Sequence, residues 1–209
     1  MTGRLVLVRH GETAWNAENR FQGQADEPLN ATGWEQARAA APALAGLGID
    51  ELWSSPLSRA RQTASLVGAL AKVPVWTDDR LREVNVGSWS GRTVDEVAAS
   101  EPEYLPKWRA GEDFRRSSTG ETEAEVADRM GEFLSSIVSA DGRTVCVVGH
   151  GFALRVGIAK LLAIPARLLA TLGNCHVAVV DVPGQHLRLS VLNIPAECLG
   201  VGGSAPPAQ

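Results

Sequence analysis

Apolar positions along this chain fall into short continuous runs that alternate with longer stretches of helical periodicity. The runs are rich in β-branched residues and predict strands near 4–9, 50–54, 74–77, 144–149, 175–182 and 186–192. Leu5-Val6-Leu7-Val8 and Val145-Cys146-Val147-Val148 have no polar interruption, the mark of strands covered on both faces. Helix starts are signalled between them. Thr32, Thr93 and Thr122 each precede a glutamate three residues on, which is a capping box. Ser55-Pro56 offers an N-cap serine with proline in the first helical position. The helix after Thr32 should run to about Leu47 and stop at Gly48; the one after Ser55 should reach about Ala71 and the one after Thr122 about Ser139.

Such alternation predicts an α/β fold: a three-layer α/β/α sandwich with a mostly parallel central sheet. The last two strands read as a hairpin through Pro183-Gly184, which suits a type II turn and adds an antiparallel edge strand. Residues 84–120 are less regular, with Pro102, Pro106, Trp108, Phe114 and the pair Arg115-Arg116, and predict a small lid insertion over the carboxyl edge. No internal repeat or long linker divides the chain, so one domain is expected over 1–209. The tail, 200–209, is glycine, proline, serine and alanine, and is expected to be mobile.

Composition narrows the function classes. The 209 residues are 44% hydrophobic and 21% charged, ordinary for a globular domain. A net charge of −4 and a pI near 5.6 argue against nucleic acid as a partner. No apolar run approaches the roughly 20 residues that cross a membrane, so no membrane partner is expected. Met1-Thr2-Gly3-Arg4-Leu5 enters a strand at once, without the pattern of a secretory leader. Cys146, Cys175 and Cys198 fit no disulfide or zinc spacing and read as reduced thiols. A cytoplasmic protein is therefore expected, with a homodimer as the oligomer that an exposed sheet edge would favour.

The two uninterrupted runs both deliver a histidine. The first ends in Arg9-His10-Gly11 and the second in Gly149-His150-Gly151. Ligands of open α/β sheets collect at the carboxyl ends of parallel strands, so neighbouring strands would bring His10, His150 and Arg9 into one anion pocket. A histidine that attacks phosphorus must be neutral on the attacking nitrogen and held in line with the leaving oxygen. Gly11 would let the backbone turn sharply beside a ligand, and Arg9 can fork onto two phosphate oxygens. Arg59, early in the helix after Ser55, supplies a second cationic arm at a helix end that already favours anions. Arg61 reads as a solvated or structurally paired arginine. Glu83, in Leu81-Arg82-Glu83, could protonate a leaving oxygen and then deprotonate water, provided its pKa rises toward neutrality.

Together these segments resemble the histidine phosphatase superfamily, in its phosphoglycerate mutase-like branch. The matching stretches are Leu7 to Asn16, Ser54 to Ala60, Leu81-Arg82-Glu83 with Gly87, Trp89 and Gly91, Gly120-Glu121-Thr122, and Val148 to Gly151. They follow family order over nearly the whole chain. The resemblance implies that His10 is the nucleophile, that Arg9, Arg59 and His150 bind the phosphoryl oxygens, and that Glu83 is the proton donor and acceptor. It further implies a phosphate contact from the amide of Asn16, a rim closed by Gln22 and Gly23, and weaker pocket roles for Thr122 and Asn174. Thr122 is more simply a helix cap. No metal and no other cofactor is implied.

Within that family the acceptor of the phosphoryl group separates phosphatases from mutases. The interval from Glu83 to His150 is shorter than in the mutases, which resembles the phosphatase branch and predicts a metal-independent phosphomonoester hydrolase. Its partner would be a small-molecule phosphate ester, a sugar phosphate or phosphorylated acid. Lys107, Arg109, Arg115 and Arg116 pull toward a mutase, because they could grip a second acidic group, or they could pair with Glu101, Glu103, Glu112 and Asp113. Trp108 and Phe114 could stack on a leaving group or pack the lid onto the sheet. Two other classes stand beside these: a metallohydrolase on His10, His150 and Glu83, which the adjacent arginines disfavour, and a non-catalytic phosphate-binding domain.

Overall fold

The computed structural model describes residues 2–139, 141–184 and 186–199; the expected mobile tail, 200–209, lies outside the described residues. Six strands form one sheet: β1 Gly3–Arg9, β2 Glu51–Ser54, β3 Val75–Thr77, β4 Thr144–Gly149, β5 His176–Val182 and β6 Arg188–Pro195. Their order is β3-β2-β4-β1-β5-β6. β3, β2, β4 and β1 are mutually parallel, and β1 and β4 are neighbours in register, with Val8 opposite Val148 and Arg9 opposite Gly149. The two histidine-bearing strand ends therefore lie side by side. β5 runs antiparallel to β1, and the edge strand β6 runs antiparallel to β5. The reversal thus falls on the second strand from that edge, and β6 extends three residues beyond the predicted 192. Gly184, in the connection between them, has φ +64°, the sign that a type II turn needs at its third residue.

Alternate residues of β1 and β4 serve opposite layers, as the pleat requires. Leu5, Leu7, Val145 and Val147 are buried on the face covered by α6 (Glu123–Ile137) and α7 (Gly151–Leu161). Val6, Val8, Cys146 and Val148 face α2 (Ala31–Ala45) and α3 (Ser58–Ala71). Each such side chain, removed from water, contributes roughly 1.5–3 kcal/mol, and burial on both faces removes any need for polar alternation.

Capping follows the sequence at some ends and departs from it at others. Thr93 and Thr122 form complete capping boxes with Glu96 and Glu125, starting α4 (Val94–Ser100) and α6. Thr32 does not cap α2. Asn30 does, with its Oδ1 accepting from Gly33 N–H at 2.7 Å while its amide donates to Glu12. Ser55 does not cap α3 either, which begins at Ser58 with Leu57 at the N-cap and no side-chain bond. An unanticipated four-residue helix, α1 (Ala14–Ala17), is capped reciprocally by Thr13 and Asn16. α7 carries no start signal, because the His150 side chain at its N-cap makes no capping bond.

Segment 84–120 folds as one 3₁₀ turn (Gly87–Trp89) followed by α4 and α5 (Tyr104–Ala110). Trp89, buried at 1% exposure, stacks edge-on with Tyr104 at 4.7 Å and tilts against Phe21 at 5.6 Å. Phe114 joins the same cluster, 5.6 Å from Tyr104, so its ring packs the segment onto the sheet. That aromatic cluster sets one wall above the ends of β1 and β4.

Candidate active site

His10 leaves β1 and is 3% exposed. Its position rests on a close backbone approach. A Cβ on Gly11 would lie 2.4 Å from the Gly33 carbonyl oxygen, so only glycine lets the strand end meet the start of α2. His10 Nδ1 lies 2.6 Å from the Gly11 carbonyl oxygen, an acceptor only, so this nitrogen carries the hydrogen. Nε2 is left with its lone pair, toward which Arg59 Nε donates at 3.2 Å. Burial, with Arg59 and Arg9 nearby, holds the His10 pKa well below the usual histidine range and the ring neutral.

Arg59 is 1% exposed and fixed through all three arms. Besides the contact with His10, Nη1 donates to Ala25 O at 2.7 Å and Nη2 to Gly23 O at 2.8 Å. Burial lowers its pKa to about 10, against the attraction of Glu83 and Asp26. Arg9 donates from Nη1 to Leu172 O at 2.8 Å, and its buried Nε has no partner. Two guanidinium groups thus line the same cavity as His10, each with donor capacity to spare.

His150 is fully buried, its ring 5.1 Å from that of His10 and at 62° to it. Nε2 lies 2.8 Å from Ser55 Oγ, while Nδ1 is buried without a partner. Ser55 Oγ accepts from Leu57 N–H at 3.3 Å, and among the described residues its own hydrogen has no acceptor other than Nε2. His150 therefore carries its proton on Nδ1. Burial, then Arg59 and His10, lower its pKa well below the usual value as well.

Glu83 is held at the start of α7. Oε1 accepts from Val84 N–H and Ala153 N–H, both at 2.9 Å, and Oε2 accepts from Phe152 N–H at 3.2 Å. Oε2 thus takes the single, longer bond. Arg129, which the sequence reading missed, clamps this segment: its guanidinium donates to the carbonyls of Arg80, Arg82 and Glu83 and pairs with Glu121. No local pattern marks it, because its carbonyl partners lie more than forty positions away.

A cavity of about 210 Å³ opens beside these groups. Arg9, His10, Asn16, Gln22, Gly23, Arg59 and Glu83 line its base; Trp108 and Arg116 are among the residues that line its wall. Asn16 Oδ1 accepts from Thr13 and Asn174, which turns its amide donors free of protein partners. Asn174 itself braces the backbone, donating to His10 O at 3.0 Å, and does not line the cavity. Gln22 is buried, and its Oε1 is unpartnered among the described residues.

Several expected site residues lie elsewhere. Thr122 serves α6 as its cap and stays outside the cavity lining. Arg115 points away, held in a two-pronged ion pair with Glu125 at 2.6 Å. Its neighbour Arg116 turns inward, 5% exposed, between the rings of Phe114 (4.6 Å) and Phe152 (5.1 Å). Trp108 stands half-exposed at the rim against Tyr104. Among the described residues, no group of three or more histidine, cysteine or acidic side chains is arranged to hold a metal, and none of the helices is long and apolar enough to cross a membrane.

Known proteins share this fold and much of this sequence. The solved structure of a mycobacterial glucosyl-3-phosphoglycerate phosphatase, in complex with VO3, matches 91% of this chain and 98% of its own with a TM-score of 0.83 and 32% identity. Phosphoserine phosphatase from Entamoeba histolytica matches 93% of this chain and 98% of its own, with a TM-score of 0.82 and 28% identity. A probable phosphoglycerate mutase GpmB of Serratia proteamaculans is 37% identical over 181 residues, 85% of this chain and 84% of that protein. The family model of the histidine phosphatase superfamily, branch 1, matches residues 5–195, and the chain belongs to that superfamily.

Proposed function

We propose that this phosphatase hydrolyses a small phosphomonoester, a sugar phosphate or phosphorylated acid, through a phosphohistidine on His10 Nε2. The observation that carries the reading is the His10 tautomer: Nδ1–H is committed to Gly11 O, and the Nε2 lone pair accepts from Arg59. In the first step Nε2 attacks phosphorus and the ester P–O bond breaks. The leaving oxygen takes the proton of Glu83 in its acid form. In the second step water attacks the phosphohistidine, Glu83 takes its proton, the P–N bond breaks and inorganic phosphate leaves. Arg9, Arg59, the Asn16 amide and His150 Nδ1–H donate to the equatorial oxygens, where charge is spread in the transition state. These donors are fixed before substrate arrives, so little reorganisation is needed.

No step calls on a metal, and a dication would meet two guanidinium groups at the same spot. A phosphoglycerate mutase is the second reading, favoured by the name of the bacterial relatives. A mutase must shield the phosphohistidine from water, whereas an ester with a small leaving group would leave room for water beside His10.

One phosphorus NMR time course separates these readings. The sample holds 3-phosphoglycerate, a trace of 2,3-bisphosphoglycerate and an aryl phosphate, with chelator and without added metal. Growth of inorganic phosphate with wild type and none with His10→Ala is the expected result. Conversion of 3- to 2-phosphoglycerate with little free phosphate would replace the hydrolase reading with the mutase. Activity lost in chelator would revive the metallohydrolase.

A further inference from the structure

The cavity beside His10 adjoins a second pocket of about 440 Å³, and Trp108 and Arg116 belong to both walls. The outer pocket adds Arg155, from α7, and Arg167 to the cationic lining, with Glu112 and Glu123 as its acidic members. Arg155 Nε is buried and without a partner, and the closest paired carboxylate, Glu123, stands 3.7 Å from its Nη2, beyond hydrogen-bond length. Arg116 gives Nη1 to the Phe114 carbonyl and, among the described residues, has only Asp113, at 3.5 Å, as an ion-pair partner. Both guanidinium groups stand 5.1 Å from the centre of the Phe152 ring. Among the described residues Arg167 has no ion pair. Burial lowers the Arg116 pKa, and the like charge of Arg155 adds to the lowering against Asp113 and Glu123.

Guanidinium groups that are desolvated, mutually repelling and short of acceptors are costly unless an anion bridges them. We propose that Arg155, with Arg116 and Arg167, forms an outer anion subsite for a second acidic group on the leaving group of the substrate. This rests on the hydrolase reading above and narrows its substrate class to phosphomonoesters with a carboxylate or second phosphate distal to the reacting phosphoryl. The reacting phosphoryl sits on His10 and the leaving group passes Arg116, so the acidic group reaches Arg155 and Arg167.

The test is the selectivity of the wild type, Arg155→Gln and Arg167→Gln. Four esters are compared: 3-phosphoglycerate, a hexose bisphosphate, glycerol 3-phosphate and 4-nitrophenyl phosphate. The wild type should favour the two acid-bearing esters, and each variant should lose about tenfold or more of that preference, mainly through KM. A larger loss with 3-phosphoglycerate than with the bisphosphate marks a carboxylate as the natural occupant, and the reverse marks phosphate. Equal loss on all four esters, or unchanged selectivity in both variants, overturns the subsite. Arg167 is exposed, so its variant remains informative if Arg155→Gln folds poorly. If no ester is hydrolysed the hydrolase reading fails by itself. Calorimetric affinities for 3-phosphoglycerate against glycerol 3-phosphate then decide the subsite, which predicts weaker binding of the acid in both variants.

Discussion

Replacing Ser55 by alanine is expected to lower both stability and turnover. Ser55 and His150 are fully buried, and among the described residues the hydroxyl is the one group bonded to His150 Nε2, at 2.8 Å. Alanine would strand that nitrogen in a dry environment, at a cost of about 1–3 kcal/mol. The catalytic effect has a separate origin. With the hydroxyl present, Nε2 must accept and Nδ1 must carry the proton. Without it, nothing fixes the tautomer, and a fraction of molecules would turn a lone pair toward the phosphoryl oxygens. Removing one preorganised donor of this kind lowers kcat by about 10²-fold. Urea denaturation reads the first effect, and kcat against KM for the preferred ester reads the second. The fall should appear in kcat with KM less affected, because charge on the oxygens grows in the transition state. A Ser55→Ala enzyme with wild-type kcat would refute the tautomer argument, even if its stability had dropped as expected.

Three further outcomes follow from the same structure. Both buried histidines stay neutral in the fold while the unfolded chain takes up protons near pH 6.5, so their contribution is complete above that pH and lost as pH falls toward their depressed folded values. The loss is up to about 1.4 kcal/mol per pH unit for each, and urea midpoints between pH 7 and 5.5 should fall less steeply in His10→Ala. Arg129→Ala should cost roughly 2–3 kcal/mol and most of the turnover by releasing the carbonyls that seat Glu83, read by denaturation and kcat; Arg129→Lys should fail to restore both, since one ammonium cannot meet the same fork of acceptors. Gly33→Ala would set a Cβ 2.0 Å from the Glu12 carbonyl oxygen, so about 1–3 kcal/mol of stability and much of the activity should be lost, measured by thermal melts and steady-state rates.

The strand ends were legible because burial on both faces removes polar residues from the middle of β1 and β4, leaving Arg9-His10 and His150 as the first polar side chains after each run. Thr93 and Thr122 behaved as local capping rules require, since their partners lie three residues away. Ser55 did not. Its local role as a cap gave way to a bond with a histidine 95 positions on, which no window of sequence displays. Asn30 displaced Thr32 for a similar reason, because its amide also reaches Glu12 across 18 positions. Arg115 and Arg116 are adjacent and chemically alike, yet Glu125 draws one outward while Phe114 and Phe152 hold the other in the cavity wall. Arg129 and Arg155 escaped notice altogether, being single arginines on helices whose carbonyl and carboxylate partners come from other elements.

The most direct test of the account is capture of the covalent intermediate. Wild-type protein mixed with the preferred ester would be quenched in alkali within milliseconds, digested and mapped by mass spectrometry. The account predicts one acid-labile, alkali-stable phosphoryl group on His10, attached at Nε2, and no such modification in His10→Ala. Turnover in the wild type with phosphate on any other residue, or with no covalent adduct at all under single-turnover conditions, would contradict it.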